Sequence, residues 1–131
     1  MTSVPTAVVL MAHGSPDPDW RRPIEEMAEQ LREQRPGVEV VEAYMGHLAP
    51  SLAEAVDRLH AEGHRRVLVL AAFLSPGGKH IKHDVPQLVA EQAARRPEVE
   101  LVLRPGALGA EAEVVAALAR AAGQALDEAG A

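Results

Sequence analysis

The sequence predicts an α/β protein: one doubly wound sheet of four parallel strands in the order 2-1-3-4, with helices on both faces. Three observations carry this. Short, unbroken apolar runs alternate with helical repeats four times over. The chain is 47% hydrophobic yet holds one Trp, one Tyr and one Phe, so its core is built from Val, Leu, Ile, Ala and Met, as in sheets buried on both faces. At 131 residues without a low-complexity linker, the chain reads as a single domain over residues 1–131.

The first run is "TAVVLMA", Thr6 to Ala12, which stops at the turn-rich "HGSPDPD" and reads as a buried strand followed by a loop. From Arg22 to Arg35, Ile24, Met27, Ala28 and Leu31 recur at helical spacing, with Pro23 in the first turn and Pro36-Gly37 beyond the end. "VEVVEAYM", Val38 to Met45, is a second strand. Ser51 with Glu54 forms a capping box for a helix that ends at Gly63. The most apolar run, "RVLVLAAFL" from Arg66 to Leu74, is a third strand and belongs in the middle of the sheet. Asp84, with Gln87 three residues on and Pro86 between them, predicts an N-cap for a helix to Arg95, which leaves His80 and His83 on the preceding loop. "VELVLRP" is the fourth strand. Glu111 to Ala129 is an alanine-rich helix with a shallow apolar face of Val114, Val115, Leu118, Ala122 and Leu126.

Right-handed crossovers turn four such units into a three-layer, flavodoxin-like sandwich whose chain direction reverses between strands one and three. Ligands of such sheets bind at the carboxyl ends of the strands beside that switch. The loops there are "HGSPDP" and "SPGGKHIKHD", so His13 and His80 meet one crevice from 67 positions apart.

Composition excludes several functions. A net charge of −6 argues against nucleic-acid binding, as does the want of aromatic residues for base stacking. The chain lacks cysteine, so any metal must be met by His and carboxylates, and a reducing cytoplasm is expected. No run approaches the roughly 20 apolar residues of a membrane helix. Neither GxGxxG nor GxxxxGK[ST] occurs, so no nucleotide site is read.

A histidine at a strand end is commonly just a turn residue, and it is the convergence of His13 with His80 that raises both. The pair His80 and His83 invites a metal-site reading. On irregular backbone, however, their odd separation points them apart, so one is expected to bind and the other to be solvated or to contact the helix terminus. Imidazole suits cobalt, iron, nickel and zinc alike, and so does not choose the metal. His47, after strand two, lies beside the same switch. His60 and His64 flank Gly63 at a helix end, where they complement the helix dipole. Ser15, Ser75, Pro76, Gly77, Gly78 and Lys79 complete the candidate ligand-binding loops. Arg21, Arg22 and Lys82 stand near them as possible carboxylate partners.

"AHGSPDPDW", "PSL" at Pro50 to Leu52 and "FLSPGGKHIKHDVP" together resemble the short sirohydrochlorin chelatases of the CbiX and SirB type, the class II chelatases. The resemblance covers nearly the whole chain. It implies the chelatase fold and ATP-independent insertion of cobalt or ferrous iron into sirohydrochlorin, in cobalamin or sirohaem biosynthesis. It also implies a homodimer, because short members carry one βα set. In that family the histidines of HGS and of H-x-x-x-D-[VI]-P bind the metal and help take up pyrrole protons; they map onto His13 and His80. No cofactor beyond the substrate metal is implied. Two departures stand out: many relatives have an acidic residue where this chain reads Tyr44-Met45-Gly46-His47, and the loop before His80 is one residue longer than usual. The missing acid leaves a non-catalytic metal or tetrapyrrole carrier as an alternative, and a nickel chelatase of the same fold differs only in metal.

Overall fold

A computed structural model describes residues 6–46, 48–75 and 77–130; His80 and Ile81 are described by their backbone. The elements are β1 (Thr6–Ala12), α1 (Arg22–Gln34), β2 (Glu39–Tyr44), α2 (Leu52–Ala61), β3 (Arg66–Ala71), α3 (Val85–Arg95), β4 (Glu100–Leu103) and α4 (Ala112–Glu128). The strands form one parallel sheet in the order β2-β1-β3-β4, as the sequence predicts.

Alternation in β1 sorts the core into two layers. Ala7, Val9 and Met11 point to one face, where Leu52, Ala55, Val56 and Leu59 of α2 and Val85 and Val89 of α3 close over them. Val8 and Leu10 point to the other, against Ala28 of α1. β1 is the strand most completely enclosed: Ala7, Val9 and Ala12 expose nothing, and Leu10 and Met11 expose 1%. Central placement follows from that burial, since only a strand flanked on both edges and covered on both faces can be apolar throughout.

Two local expectations fail. β3 ends at Ala71 rather than Leu74. Ala72 still donates to the Met11 carbonyl at 2.8 Å, but the chain then leaves the sheet, and Phe73 is apolar because it packs on the core from outside the strand. Asp84 is not an N-cap: its backbone is helical (φ −68°, ψ −45°) and its side chain caps nothing. A π-helical turn, His80–Asp84, runs directly into α3, so the two histidines lie in that turn and not on a loop. Proline accounts for it. In an α-helix the Pro86 ring would collide with the Lys82 carbonyl, to which it has no N–H to offer; the wider winding over residues 80–84 relieves the clash. The capping box, by contrast, is present in full: Ser51 Oγ accepts from the Glu54 N–H at 3.2 Å and Glu54 Oε1 from the Ser51 N–H at 3.1 Å.

Among the described residues no helix is long and apolar enough to cross a membrane.

Candidate functional site

The carboxyl edge of the sheet is sewn together by main chain. Beyond the end of β1, the Ala12 carbonyl accepts from Met45 N at 2.9 Å and the His13 carbonyl from Gly46 N at 3.2 Å. These bonds extend the β1–β2 pairing past both strands, so His13 leaves the sheet with its backbone held. Gly14, next in line, has φ +97°, and a Cβ there would lie 1.8 Å from the Gly46 carbonyl oxygen. Only glycine satisfies both the left-handed backbone and that approach. Its presence in "HGS" therefore has a steric cause.

A matching seam joins the loop after β3 to the turn before α4. The Phe73 carbonyl accepts from Gly109 N at 2.9 Å, and a Cβ on Gly109 would lie 2.3 Å from Leu74 Cα. Gly109 belongs to a short 3₁₀ turn, Leu108–Ala110, ahead of α4. The Phe73 ring in turn lies 6.1 Å from the exposed His13 ring, tilted by 46°. Three loops are thus fixed relative to one another around His13. Sequence reading missed Gly109, whose only signal was "GALGA" after the last strand.

The two histidines read as ligands stand at the exits of neighbouring strands. His13 follows β1 directly, and His80 opens the π-turn nine residues after the end of β3. Gly78, at φ +90°, turns the chain into that winding, and its carbonyl accepts from Lys82 N at 3.1 Å. His83 Nδ1 lies 3.0 Å from Asp84 Oδ1, with its side chain 65% exposed, which suits the solvated role expected for one of the pair. Among the described residues no three His, Asp or Glu side chains are grouped to hold a metal ion.

The polar loop residues serve the loops' own shape. Ser15 Oγ accepts from Asp17 N at 3.1 Å and Asp17 Oδ1 from Asp19 N at 2.9 Å, which folds "SPDPD" back on itself. Ser75 Oγ accepts from Gly77 N at 3.1 Å. Ser75, Gly77, Gly78 and Lys79 are all exposed. His47 and Pro76 lie outside the described residues.

The basic candidates divide. Arg21 is committed to structure: it donates to the Ala49 carbonyl at 3.0 Å and its guanidinium sits 5.1 Å over the Tyr44 ring. Tyr44, packed edge-on to Trp20 at 6.2 Å, has its hydroxyl pushed above the usual tyrosine range, chiefly by burial. Arg21 therefore clamps the loop after β2. Arg22 pairs with Asp19 at 2.9 Å on the surface. Lys82 lines a cavity of about 350 Å³ with Arg104, over Ala71, Val85 and Leu103, at the carboxyl ends of β3 and β4. Arg104 itself pairs with Glu111. Of the two histidines assigned to a helix end, His60 Nε2 meets Glu98 at 3.1 Å, whereas His64 Nδ1 is buried with no hydrogen-bond partner among the described residues.

The family model for CbiX matches residues 7–125. The chain belongs to the CbiX family. A cobalamin biosynthesis CbiX protein from Marinobacter aquaeolei VT8 superimposes with a TM-score of 0.82 at 27% identity, over 97% of this chain and 99% of that one. SirB from Bacillus subtilis subspecies spizizenii, solved in complex with cobalt, shares the fold with a TM-score of 0.68 at 19% identity, over 76% of this chain and 43% of that one. A sirohydrochlorin cobaltochelatase of Methanopyrus kandleri is 34% identical over 83 residues, 63% of this chain and 57% of that protein. A chloroplastic sirohydrochlorin ferrochelatase of Arabidopsis thaliana is 32% identical over 87 residues, 66% of this chain and 38% of that protein. The match thus spans 57% of the cobaltochelatase and 38% of the ferrochelatase. For this CbiX protein, the motif segments around His13 and His80 both fall within the matched residues.

Proposed function

We propose that this CbiX protein inserts a divalent metal, Co²⁺ or Fe²⁺, into sirohydrochlorin without ATP, acting in the cytoplasm as a homodimer, in cobalamin or sirohaem biosynthesis. What supports the reading is that His13 follows β1 directly and His80 lies in the turn reached from the adjacent strand β3, inside a chain matched by the family over residues 7–125. In sheets of this kind that edge is where ligands bind.

Insertion requires that two pyrrole protons leave while a partly dehydrated metal enters. Neutral imidazoles do both: they coordinate the ion weakly enough to release it and accept protons near neutral pH. A site with few protein ligands leaves coordination positions for the macrocycle nitrogens. His13, with its main chain bonded to Gly46 and its ring against Phe73, supplies a fixed ligand. His80, on a π-turn, supplies the second. The loop amides at Ser75 and Gly78, the hydroxyl of Ser15, Lys79 and His47 hold the macrocycle's carboxylates.

The test mixes purified protein with sirohydrochlorin and Co²⁺, Fe²⁺ or Ni²⁺ and follows the macrocycle's visible spectrum. We expect multiple turnover with Co²⁺ or Fe²⁺, reduced at least 10²-fold by His13→Ala with His80→Ala, in keeping with the roughly 10²–10⁴ contributed by a positioned proton acceptor. An unchanged rate in the double variant would sink the mechanism. Gly46, at the place where many relatives carry an acid, supports the alternative of a non-catalytic carrier; one equivalent bound without turnover is its signature. Turnover with Ni²⁺ alone would mark a nickel chelatase instead.

A further inference from the structure

A parallel sheet is normally covered on both faces, because its crossovers lay helices on each. Here one quarter of that cover is absent. α2 and α3 close one face. On the other, α1 lies over β1 and β2, while Leu68, Leu70 and Val102 of β3 and β4 share that face by register with Val8 and Leu10 and remain only half-buried. Beside α1 an apolar groove of about 260 Å³ runs between Leu10, Met27, Leu31, Leu70 and Leu108. The fourth βα unit should place its helix here.

α4 is elsewhere. None of its 17 residues is buried, and only Val114 in the first turn is half-covered. Val115, Leu118 and Leu126 are 55%, 51% and 56% exposed, and with Ala122 they form a single stripe at helical spacing. The turn before α4 is fixed by Gly109 against Phe73, and Glu111 enters the helix from extended backbone (φ −62°, ψ 140°). The chain therefore carries an apolar helix face and an apolar sheet face that do not meet.

We propose that the α4 of a second copy of this chain lies on the open β3–β4 face, and that the two copies exchange these helices reciprocally. The proposal rests on the homodimer reading above and names how the dimer is built. Both surfaces belong to one sequence, so a two-fold axis satisfies four surfaces at once and closes the assembly. Neither the stripe nor the groove carries a charge, and of the residues lining the groove only Gln30 and Gln34 are polar. The area is adequate: a helix about 25 Å long and about 10 Å across presents roughly 800 Å² of lateral surface. Covering a third of that, and as much of the sheet, in two symmetric contacts removes roughly 1,000 Å² from water, about the threshold for a specific dimer.

The natural chain has no cysteine, so engineered ones report cleanly. Leu70→Cys is combined in turn with Val115→Cys, Leu118→Cys and Leu126→Cys, oxidised gently and run on a non-reducing denaturing gel. At least one pair should give a covalent dimer, and mixing the corresponding single variants should give a dimer joined by one bridge. A bridged monomer, meaning that α4 folds onto its own sheet, or no bridge in any pair, overturns the proposal. Sedimentation equilibrium provides a second measurement: the wild type at twice 14.0 kDa, and Leu118→Asp at the single-chain mass with its far-ultraviolet circular dichroism retained. A Leu118→Asp protein that stays dimeric also overturns it. No metal or macrocycle is present in either experiment, so a chelatase assay that fails leaves this result standing, and the reverse.

Discussion

Gly14→Ala tests the main-chain seam that holds His13. The new methyl meets two penalties. Its residue must occupy φ +97°, which costs a non-glycine residue about 1–2 kcal/mol. Its Cβ would stand 1.8 Å from the Gly46 carbonyl oxygen, whereas ordinary contact begins near 3.4 Å, so the two loops must part by roughly 1.6 Å. That separation stretches the bonds from Met45 N to Ala12 O, 2.9 Å, and from Gly46 N to His13 O, 3.2 Å, beyond useful length. At about 1 kcal/mol net for each, the loss comes to about 3–4 kcal/mol, a large share of the roughly 5–15 kcal/mol that holds a domain folded. In urea, with a slope of about 1.5–2 kcal/mol per molar, the midpoint should fall by about 2 M, read by circular dichroism at one fixed protein concentration. Gly46→Ala is the control, because nothing lies within 4 Å of its Cβ and its φ is not positive; its cost should stay within about 0.5 kcal/mol. A Gly14→Ala midpoint within about 0.3 M of wild type, or equal losses in the two variants, would refute the reasoning.

Ser51→Ala removes the hydroxyl that caps α2 and should destabilise the protein by about 1 kcal/mol in the same urea assay, while Ser51→Asp restores most of it. Asp57 joins α2 to α3 through Arg95 at 2.6 Å and Arg96 at 3.0 Å, and the Arg95 hydrogen bond foremost holds its carboxyl below the usual range. A carboxyl depressed in the folded state adds stability above its unfolded pKa of about 3.9 and loses it as pH falls through the lower folded value. Asp57→Asn should therefore lower the thermal midpoint at pH 7, and the deficit should shrink as the pH falls below the unfolded carboxyl pKa and through the lower folded one. A deficit that persists undiminished in acid would rule out the ion pair as its source.

The fold was legible where one rule acted alone. β1 is a continuous apolar run because it is flanked on both edges and covered on both faces, and that same fact puts it inside the sheet. The Ser51 and Glu54 capping box is a local pattern with a local outcome. Legibility failed where two causes produce the same residues. Phe73 and Leu74 are apolar like strand residues, yet they are held by Gly109 and lie off the sheet. Asp84 with Gln87 has the composition of a cap, but the winding is set upstream by Gly78 and the demand of Pro86, which an N-cap template does not weigh. At the site, His13 could be placed because it abuts a strand. Arg21 could not be, because its partners, Ala49 and Tyr44, lie across the loop after β2 and leave no trace in its own neighbourhood of the sequence.

The seam from Ala12 and His13 to Met45 and Gly46 is made of amides and carbonyls, and such groups are the same whatever side chain they carry. Substitutions at Met45 or Gly46 leave its chemistry intact, whereas Gly14 admits no replacement. The protein thus keeps the backbone of His13 held beside a loop whose lettering is open to revision. A lineage can rewrite that loop, exchanging an acid for a glycine or the reverse, without rebuilding the strand that presents His13.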